Sequence, residues 1–463
     1  MTTVNVGIGI SQKDNLIEAA REAAQKAKKE IKGEKPKLLM FFVELSYVVR
    51  YTEKTDYEKA LSAIREVFPE KDVPLVGGTT AGFFAKGKYY FNIELTSKLA
   101  GALLKPLGKI IKSLKFNGVC VLALCSPLLQ VGTGIGLNAD KNPKEAGLQC
   151  IKQALESLPY NPALAYLALL KRGEREMKNI RYLDGILLTP GVMDVTSEKG
   201  FIDAQILEGI NSYTKRMVKL AGGGLIGLAR GPGIIEIPFH FYNDKVYKNA
   251  VISVVFDSDL KIGYGVDTGV NLVEPIGIIT KGKDWTIEEI NKQPALDVLA
   301  PLFEKYAGIK KQEFQESGFK TWMKGWALAF SDPSAEFLWP LCIVGAKDKK
   351  VIVLDPIKPG MGLNLVRVSP EDAQKATQKA TQRMIDDAQE RKFHFVFFFS
   401  CGGRGYVLGT KYFKEVEVIK KTLNQDIPVF GLCTSGEQAF YKTGRTVGTN
   451  LTITMLGISD RLR

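Results

Sequence analysis

The fold is decided by the stretch Phe395-Val396-Phe397-Phe398-Phe399-Ser400-Cys401, which is followed at once by Gly402-Gly403-Arg404-Gly405. An uncharged run of aromatic and β-branched residues is typical of a β-strand that is buried on both faces. The glycines after it predict a sharp change of chain direction at the strand end. Such a strand needs covering layers on both sides, so the stretch indicates a layered α/β protein.

The same arrangement occurs three times along the chain: an apolar strand, an amphipathic helix, a second strand that runs into glycines, and a third apolar strand. The first copy contains residues 38–43, the helix face of Tyr57, Leu61, Ile64 and Phe68, then 74–82 and 119–124. The second contains 185–189, the helix face of Ile202, Ile206, Ile210, Tyr213 and Met217, then 219–224 and 251–256. The third continues after residue 401 with Phe413, Val416, Ile419 and Leu423, then 428–431 and 451–456.

These repeats predict an α/β (α+β) fold, in which strand-helix-strand-strand units form mixed β-sheets covered by helices. We expect two layered domains, residues 1–235 and 236–463. The second domain begins with a strand-rich stretch, about 234–280 and 326–368, interrupted by a helix near 287–306. A further helix is predicted to begin at Ser369-Pro370-Glu371-Asp372, because serine can cap it, proline fits its first turn and the aspartate can reach back.

An insert of about residues 97–115 lies between two strands of the first copy. It is amphipathic and carries several lysines, so we expect a helical element on the rim of the first sheet. Its apolar stripe either covers its own domain or docks on a membrane surface or a protein partner. Burial against its own domain is favoured, since large exposed apolar patches are unusual in monomeric soluble proteins.

Composition excludes several classes of protein. The chain has 463 residues and a formal charge of +13, but its lysines alternate with glutamates as on solvated helix faces, so no nucleic-acid partner is expected. No run of about 20 apolar residues could span a bilayer, and a cytoplasmic location is expected. Two histidines and six cysteines without metal-binding spacing predict neither a metal site nor a cofactor.

Arg404 and Glu437 are the charged candidates for a ligand site. Arg404 follows two glycines at a strand end, where a guanidinium and backbone N–H groups could receive a carboxylate. The alternative is an arginine that pairs structurally with Glu437. Glu437 in turn could meet a ligand ammonium group, cap a helix or neutralise Arg404. If the two turns end neighbouring strands, the pair would match the charges of an α-amino acid.

Cys401 and Asn450 are the uncharged candidates. A cysteine beside glycines and an arginine could be a nucleophile, but it needs a base, and His394 lies at the far end of the same strand. We therefore expect the thiol to line the site or to be structural. Asn450 could contact a polar ligand or satisfy its own turn. Gly77–Gly78 and Gly222–Gly224 permit close approach of backbone to a ligand, although tight turns also need glycine.

The chain resembles the FIST (F-box and intracellular signal transduction) family in several segments. Three segments of the third copy are similar to the C-terminal FIST signature, in the family's order and at its intervals: residues 399–405, 428–437 and 449–452. Residues 220–224, 263–265, 275–277, Thr280 and 294–297 resemble the landmarks where the N-terminal FIST domain passes into the C-terminal one. Residues 77–82 resemble the first glycine turn of the N-terminal domain. Gly78 and Thr449 stand where the family usually carries Cys and His.

The resemblance implies a stand-alone pair of FIST domains, a sensory module for small ligands such as amino acids or their derivatives, with a separate protein as output partner. The predicted ligand-binding residues are Cys401, Gly402, Gly403, Arg404, Gly436, Glu437 and Asn450 in the third copy, and Gly78, Thr79 and Thr80 in the first. The alternative is a thiol- or acid-dependent enzyme that uses Cys401, Arg404 and Glu437. A pure interaction scaffold, which binds no small ligand, is the third hypothesis.

Overall fold

The computed structural model describes residues 4–91, 118–159, 183–191, 200–215, 218–227, 229–231, 234–235, 237–316, 318–331, 338–441 and 444–463. The predicted helical insert of residues 97–115 and the side chain of Met217 lie outside the described residues. Helices and strands alternate along the described chain, and the predicted α/β class is confirmed.

The described residues form three units with one order of elements. The first unit comprises β1 (Asn5–Ser11), α1 (Leu16–Glu30), β2 (Leu38–Glu44), α2 (Leu45–Val48), α3 (Lys54–Val67), β3 (Leu75–Thr80), β4 (Gly82–Ala85), β5 (Lys88–Phe91) and β6 (Val119–Cys125). The second comprises β7 (Leu129–Gly136), α4 (Pro143–Glu156), β8 (Leu183–Thr189), α5 (Asp203–Thr214), β9 (Val218–Gly224), β10 (Ala229–Gly231), β11 (Ile234–Ile235), β12 (His240–Tyr242), β13 (Lys245–Tyr247) and β14 (Val251–Ser258).

The third unit begins with β15 (Leu260–Asp267) and is interrupted by an appended sheet with its own helices. These inserted elements are β16 (Asn271–Lys283), β17 (Thr286–Ile290), β18 (Gln293–Pro294), α6 (Ala295–Ala307), α7 (Lys311–Glu316), α8 (Phe319–Met323), β19 (Trp326–Phe330), β20 (Trp339–Leu341), β21 (Ile343–Lys347), β22 (Lys350–Val353) and β23 (Gly362–Arg367). The unit resumes with α9 (Pro370–Ala388), β24 (Phe395–Cys401), α10 (Gly402–Leu408), a 3₁₀ turn (Gly409–Lys414), α11 (Glu415–Leu423), β25 (Val429–Thr434), β26 (Glu437–Tyr441), β27 (Arg445–Thr449) and β28 (Ile453–Leu462).

Each unit builds one mixed sheet and lends a hairpin to another. The sheet orders are β1-β6-β2-β3-β12-β13, β7-β14-β8-β9-β26-β27 and β15-β28-β24-β25-β4-β5. The neighbours β2 and β3, β8 and β9, and β24 and β25 are parallel, as expected for strands joined through a helix. The last two strands of every sheet come from a different unit, so the three units are interlocked around a closed ring of exchanges.

The three sheets face a common apolar core, to which each contributes buried aromatic or aliphatic residues such as Phe42, Ile186 and Phe397. Helices cover the outer faces: α1 and α3 over the first sheet, α4 and α5 over the second, and α9 and α11 over the third. The predicted strands therefore lie between two apolar layers, which explains their continuous apolar runs. The appended sheet has a separate core with α6 and α7.

Three local predictions are corrected. The helix expected near 287–306 begins at Ala295, because Pro294 precedes its first turn and residues 286–290 form β17, paired with β16 and β22. The glycines of residues 77–78 and 222–224 lie inside β3 and β9, where the backbone packs closely: a Cβ on Gly77 would lie 1.9 Å from the Phe41 carbonyl oxygen. Phe413 lies in the 3₁₀ turn and is 43% exposed, so it does not belong to the apolar face of α11.

The predicted cap of α9 is confirmed. The Ser369 hydroxyl accepts a hydrogen bond from the Asp372 backbone N–H at 3.1 Å, and the Asp372 carboxylate accepts one from the Ser369 backbone N–H. Within the described part of the chain, no helix combines the length and the apolar character that a membrane span requires. The domain boundary after residue 235 stays a prediction.

Candidate functional site

The site is built where β24 and β25 end side by side. The two strands are parallel, with Cys401 opposite Thr434, so the turns that follow them lie at the same sheet edge. Gly436 has a φ of +79°, and a Cβ there would lie 2.8 Å from the Phe201 ring, so the turn into β26 requires glycine. Glu437 is the first residue of β26. The turns meet as the sequence analysis expects.

Arg404, however, does not point toward Glu437. Its side chain is 1% exposed, and its Nη2 atom lies 2.7 Å from a carboxylate oxygen of Glu415 on α11. The same nitrogen donates to the carbonyl oxygen of Ala373 at 2.8 Å and to the hydroxyl of Thr377 at 3.0 Å. The alternative that Arg404 pairs with Glu437 is therefore wrong, because Gly402 starts a helix that directs the arginine back between α9 and α11.

Glu437 lies in a fully buried polar pocket. Its carboxylate accepts hydrogen bonds from the hydroxyls of Thr434 and Thr452, both at 2.8 Å. Burial raises the pKa of Glu437 to about 8, and these hydrogen bonds, with the more distant Arg404, lower it by less. A protonated carboxyl at neutral pH is the result.

A second carboxyl, Asp355, follows the end of β22 and contacts the predicted residue Asn450. The Asn450 amide donates a hydrogen bond to the Asp355 carboxylate. Burial raises the pKa of Asp355 to about 8, and the nearby charge of Asp203 raises it further. Asn450 is thus occupied by a side chain from the appended sheet rather than by its own turn.

The third carboxyl, Asp203, is the first residue of α5. It accepts a hydrogen bond of 2.6 Å from Nε2 of Gln438, which also donates to the Thr189 hydroxyl at 3.3 Å. Burial raises the pKa of Asp203 to about 6, against the effect of these donors. Gln438 alternates with Glu437 along β26, so the hairpin reaches the Asp203 and Glu437 carboxyls with adjacent residues.

A backbone contact brings Asp203 and Asp355 together. The Phe201 N–H donates to the Leu354 carbonyl oxygen at 2.6 Å. A Cβ on Gly200 would lie 2.1 Å from that same oxygen, so the segment before α5 passes closely along the end of β22. Two residues farther along one segment and one residue farther along the other, the carboxyls face a shared space. We call Asp203, Asp355 and Glu437 the acidic junction.

Two buried acceptors beside the acidic junction lack hydrogen-bond partners among the described residues: Oε1 of Gln438 and Oγ1 of Thr449. Thr449 is paired directly opposite Glu437 in the antiparallel hairpin, so both side chains lie on one face. Gln438 is fully buried and Thr449 is 3% exposed. A buried acceptor without a donor is costly, so both atoms indicate a group that the site is built to receive.

The chemistry of Cys401 does not favour a nucleophile. The residue is 8% exposed, and burial, followed by the charge of Glu437, raises the pKa of its thiol well above the usual range. His394 precedes β24 and lies 3.4 Å from Asp460, while Cys401 ends the strand. His240 lies in β12 opposite Gly78, and burial lowers its pKa to about 4. Neither histidine is placed as a base for Cys401.

The other predicted residues hold the units together. The Thr80 hydroxyl donates to the Cys433 carbonyl oxygen at 2.8 Å, which joins β3 to β25. Thr79 accepts from the Phe239 N–H at 3.1 Å, and a Cβ on Gly78 would lie 2.4 Å from the Phe239 carbonyl oxygen. A Cβ on Gly403 would lie 2.5 Å from the Leu451 side chain. None of these contacts reaches the acidic junction.

Asp203, Asp355 and Gln438 were missed by the sequence analysis. Asp355 follows the apolar strand 350–353, and an acid at the end of a buried strand was a usable signal. Asp203 and Gln438 gave none, because an aspartate in the first turn of a helix and a glutamine in a strand are common. Among the described residues, no set of three or more His, Cys, Asp or Glu side chains is arranged to hold a metal ion.

Two surface clefts lie away from the acidic junction. One of about 390 Å³ runs between β15, α9 and the hairpin β26–β27, and its charged groups include Lys219 paired with Asp387 at 3.1 Å. The other, about 260 Å³, runs between β1, β25 and the tip of the hairpin β4–β5. The two occupy matching positions in the first and third units. Their ion pairs leave no obvious polar group for a ligand, so we place the candidate site at the acidic junction.

Sequence comparison decides the family. Residues 37–293 match the FIST N domain and residues 295–440 match the FIST C domain. The chain belongs to the FIST family. FIST domains are small-ligand sensory domains in signal transduction. In this FIST protein the acidic junction draws on both matched stretches, since Asp203 lies in the first and Asp355 and Glu437 lie in the second.

No curated protein matches this FIST protein in sequence. Among solved structures, a cyanuric acid hydrolase described as an "evolutionary innovation by structural concatenation" aligns with 99% of this chain and 100% of its own, at 11% identity and a TM-score of 0.28. A cyanuric acid hydrolase from A. caulinodans aligns with 98% of this chain and 99% of its own, at 8% identity and a TM-score of 0.34. Scores this low carry no argument about this protein.

Proposed function

We propose that this FIST protein is a cytoplasmic sensor that binds an amino acid or amino-acid derivative at the acidic junction and reports to a separate protein partner. The amino group of the ligand takes the place beside Asp203, Asp355 and Glu437. The observation that carries this proposal is a group of three buried carboxyls with raised pKa values and without an ion-pair partner in the described residues.

Physical chemistry supports an ammonium or other donor group as the ligand's anchor. Burying a carboxyl without a cation is costly, and a raised pKa shows that cost. A ligand cation would allow these groups to ionise and would donate to the unpartnered Gln438 Oε1 and Thr449 Oγ1. Charge-assisted hydrogen bonds of this kind contribute about 1.5–3 kcal/mol each.

The location of the site supports a signalling role. Its three carboxyls come from the second unit, from the hairpin of the third unit and from the appended sheet, so a ligand would connect parts that otherwise touch through a few contacts. A ligand with different affinity for two arrangements of these parts shifts their balance. The appended sheet is the element that we propose to move against the partner.

The test is a thermal-shift screen of the parent protein against the twenty amino acids, their amides and their decarboxylated amines, followed by calorimetric titration. We expect at least one class to raise the melting temperature, because a ligand that binds only the folded state stabilises it. Glu437→Gln keeps the shape of the side chain but cannot ionise, and should weaken binding about tenfold to a hundredfold. Glu66→Gln, on the exposed face of α3, is the matched control.

If no compound of any class changes the melting temperature, the proposed function is wrong. The enzyme alternative, with Cys401, Arg404 and Glu437 as its residues, makes a separate forecast. It requires conversion of the bound compound and its loss in Cys401→Ser, whereas a sensor returns the ligand unchanged and Cys401→Ser binds it about as well as the parent does.

A further inference from the structure

The acidic junction is unbalanced in charge. Among the described residues, no lysine or arginine forms an ion pair with Asp203, Asp355 or Glu437, although each of these side chains has polar neighbours. The neighbours that donate to them are neutral amides and hydroxyls. A ligand that enters this space therefore meets carboxyl oxygens first and no group that favours a second anion.

Arg404, the nearest guanidinium to Glu437 that affects its pKa, does not correct the imbalance. Both its Nε and its Nη2 donate to Glu415, at 3.1 and 2.7 Å, and Glu415 is itself 1% exposed. Nη1 has no partner among the described residues, but the charge of the group is matched within its own ion pair. A ligand carboxylate would have to compete with a buried glutamate for it.

The unpartnered atoms point to the same chemistry. Gln438 Oε1 accepts hydrogen bonds only, because its amide nitrogen is held by Asp203 and Thr189. The Thr449 hydroxyl lies on the Glu437 face, where the carboxylate oxygens are acceptors once ionised. The space thus asks for several N–H donors. A carboxylate in the same ligand would be placed near like charges, which repel it in a poorly hydrated site.

We propose, on the basis of the function proposed above, that the acidic junction selects ligands whose nitrogen group has no free carboxylate beside it. The ligand class is then amines, amidines and amino-acid amides or esters, and zwitterionic amino acids are discriminated against. Asp355 is partly exposed while Asp203 and Glu437 are buried, so the nitrogen group enters past Asp355 and the rest of the ligand stays on the outer side.

The decisive experiment uses three matched series: leucine, leucinamide and isoamylamine; phenylalanine, phenylalaninamide and phenethylamine; arginine, argininamide and agmatine. Affinities are measured by calorimetry at neutral pH with the full chain. In at least one series we expect the amide and the amine to bind at least tenfold more tightly than the parent amino acid. Asp355→Asn should reduce that ratio toward one, since it removes the charge that separates the two classes.

Asp297→Asn is the control, because Asp297 is a comparable aspartate on α6 whose carboxylate pairs with Lys311 at 2.9 Å, away from the junction. It should leave the ratio unchanged. If Asp355→Asn fails to fold, judged by its melting curve, Asp203→Asn replaces it with the same expectation. A ratio that persists in the folded Asp variants would overturn the assignment of selectivity to the junction.

The outcomes separate the two proposals. If the amino acid binds as tightly as its amide and amine, and Asp355→Asn weakens all three alike, the sensor site stands and the selectivity is wrong. If none of the nine compounds binds and the wider screen is also negative, both proposals are wrong. Tighter binding of the amino acid than of its amine would overturn the selectivity directly.

Discussion

Two buried groups of charges in the third unit's neighbourhood are built in opposite ways. Arg404 and Glu415 cancel one another, and the remaining donors of the arginine reach Ala373 and Thr377. The acidic junction carries carboxyls alone, and burial keeps their pKa values high. The difference shows which group the fold completes by itself and which one it leaves for another molecule to complete.

The two groups also connect different parts. The Arg404–Glu415 pair joins α9, α10 and α11 within one unit, so it belongs to the packing of that unit. The acidic junction joins α5, the end of β22 and the hairpin β26–β27. A pair of the first kind is expected to affect stability, and a group of the second kind to affect binding and its pH dependence.

The largest expected effect is the loss of Arg404. Arg404→Ala leaves Glu415 buried without a cation, which should lower the free energy of unfolding by about 3–5 kcal/mol. The double variant Arg404→Met, Glu415→Leu should recover most of it, since apolar residues of similar volume can replace a buried ion pair. Denaturant unfolding of the parent, the single and the double variant measures both effects. A single variant as stable as the parent would remove the contrast between the two groups.

A smaller effect is expected for the pH dependence of stability. The pKa of Glu437 is about 8 in the folded protein against its ordinary value of 4.5, so between these values the folded state holds a proton that the unfolded state has released. Stability from this group is full below about pH 4.5, falls as the pH rises, and levels off above about pH 8. The fall should amount to about 2–4 kcal/mol, at about 1.4 kcal/mol per pKa unit.

Glu437→Gln tests this directly, because the amide cannot release a proton. Its unfolding free energy should fall less steeply between about pH 5 and pH 8, and near pH 9 it should exceed that of the parent. Asp355→Asn should act in the same direction, since the pKa of Asp355 is also about 8. Parallel curves for parent and variants, measured by urea unfolding at several pH values, would show that these carboxyls are not raised.

The smallest effect concerns the support of Arg404. Ser369→Ala removes the side-chain cap of α9, whose second turn carries Ala373 and Thr377, and should lower the unfolding free energy by about 1 kcal/mol. Ser369→Asp should keep the cap and most of the stability. Ligand affinity should be the same in both, as measured by titration, because α9 does not contribute to the acidic junction. A loss of affinity in Ser369→Ala would join the two groups that we distinguish.

The threefold repetition adds a second comparison. The exchanged hairpins begin at corresponding positions, with Glu437 opposite Gly223, His240 opposite Gly78 and Phe83 opposite Leu432. Only the first of these places carries an acid. A repeated backbone thus provides three similar joints, and side-chain differences restrict the candidate site to one of them.

Much of this was readable from the sequence, and the reason is that the signals are local. The run at 395–401, the repeated helix faces and the cap at Ser369 depend on residues a few positions apart, and each formed the expected element. The family followed from short segments in a fixed order. Glu437, Cys401 and Asn450 were named as neighbours because the two parallel strands that position them are joined through one helix.

What the sequence could not provide is the identity of partners that are distant in the chain. That Arg404 meets Glu415 rather than Glu437 depends on the direction of α10, which begins where a turn was expected. That Asp203 meets Asp355 depends on a backbone contact between Phe201 and Leu354, two residues with no local pattern in common. The sequence by itself determined the strands, the repeats and the family. The tertiary structure decided which charges are paired and which are left without a cation, because burial and pairing arise only when separate units close on one another.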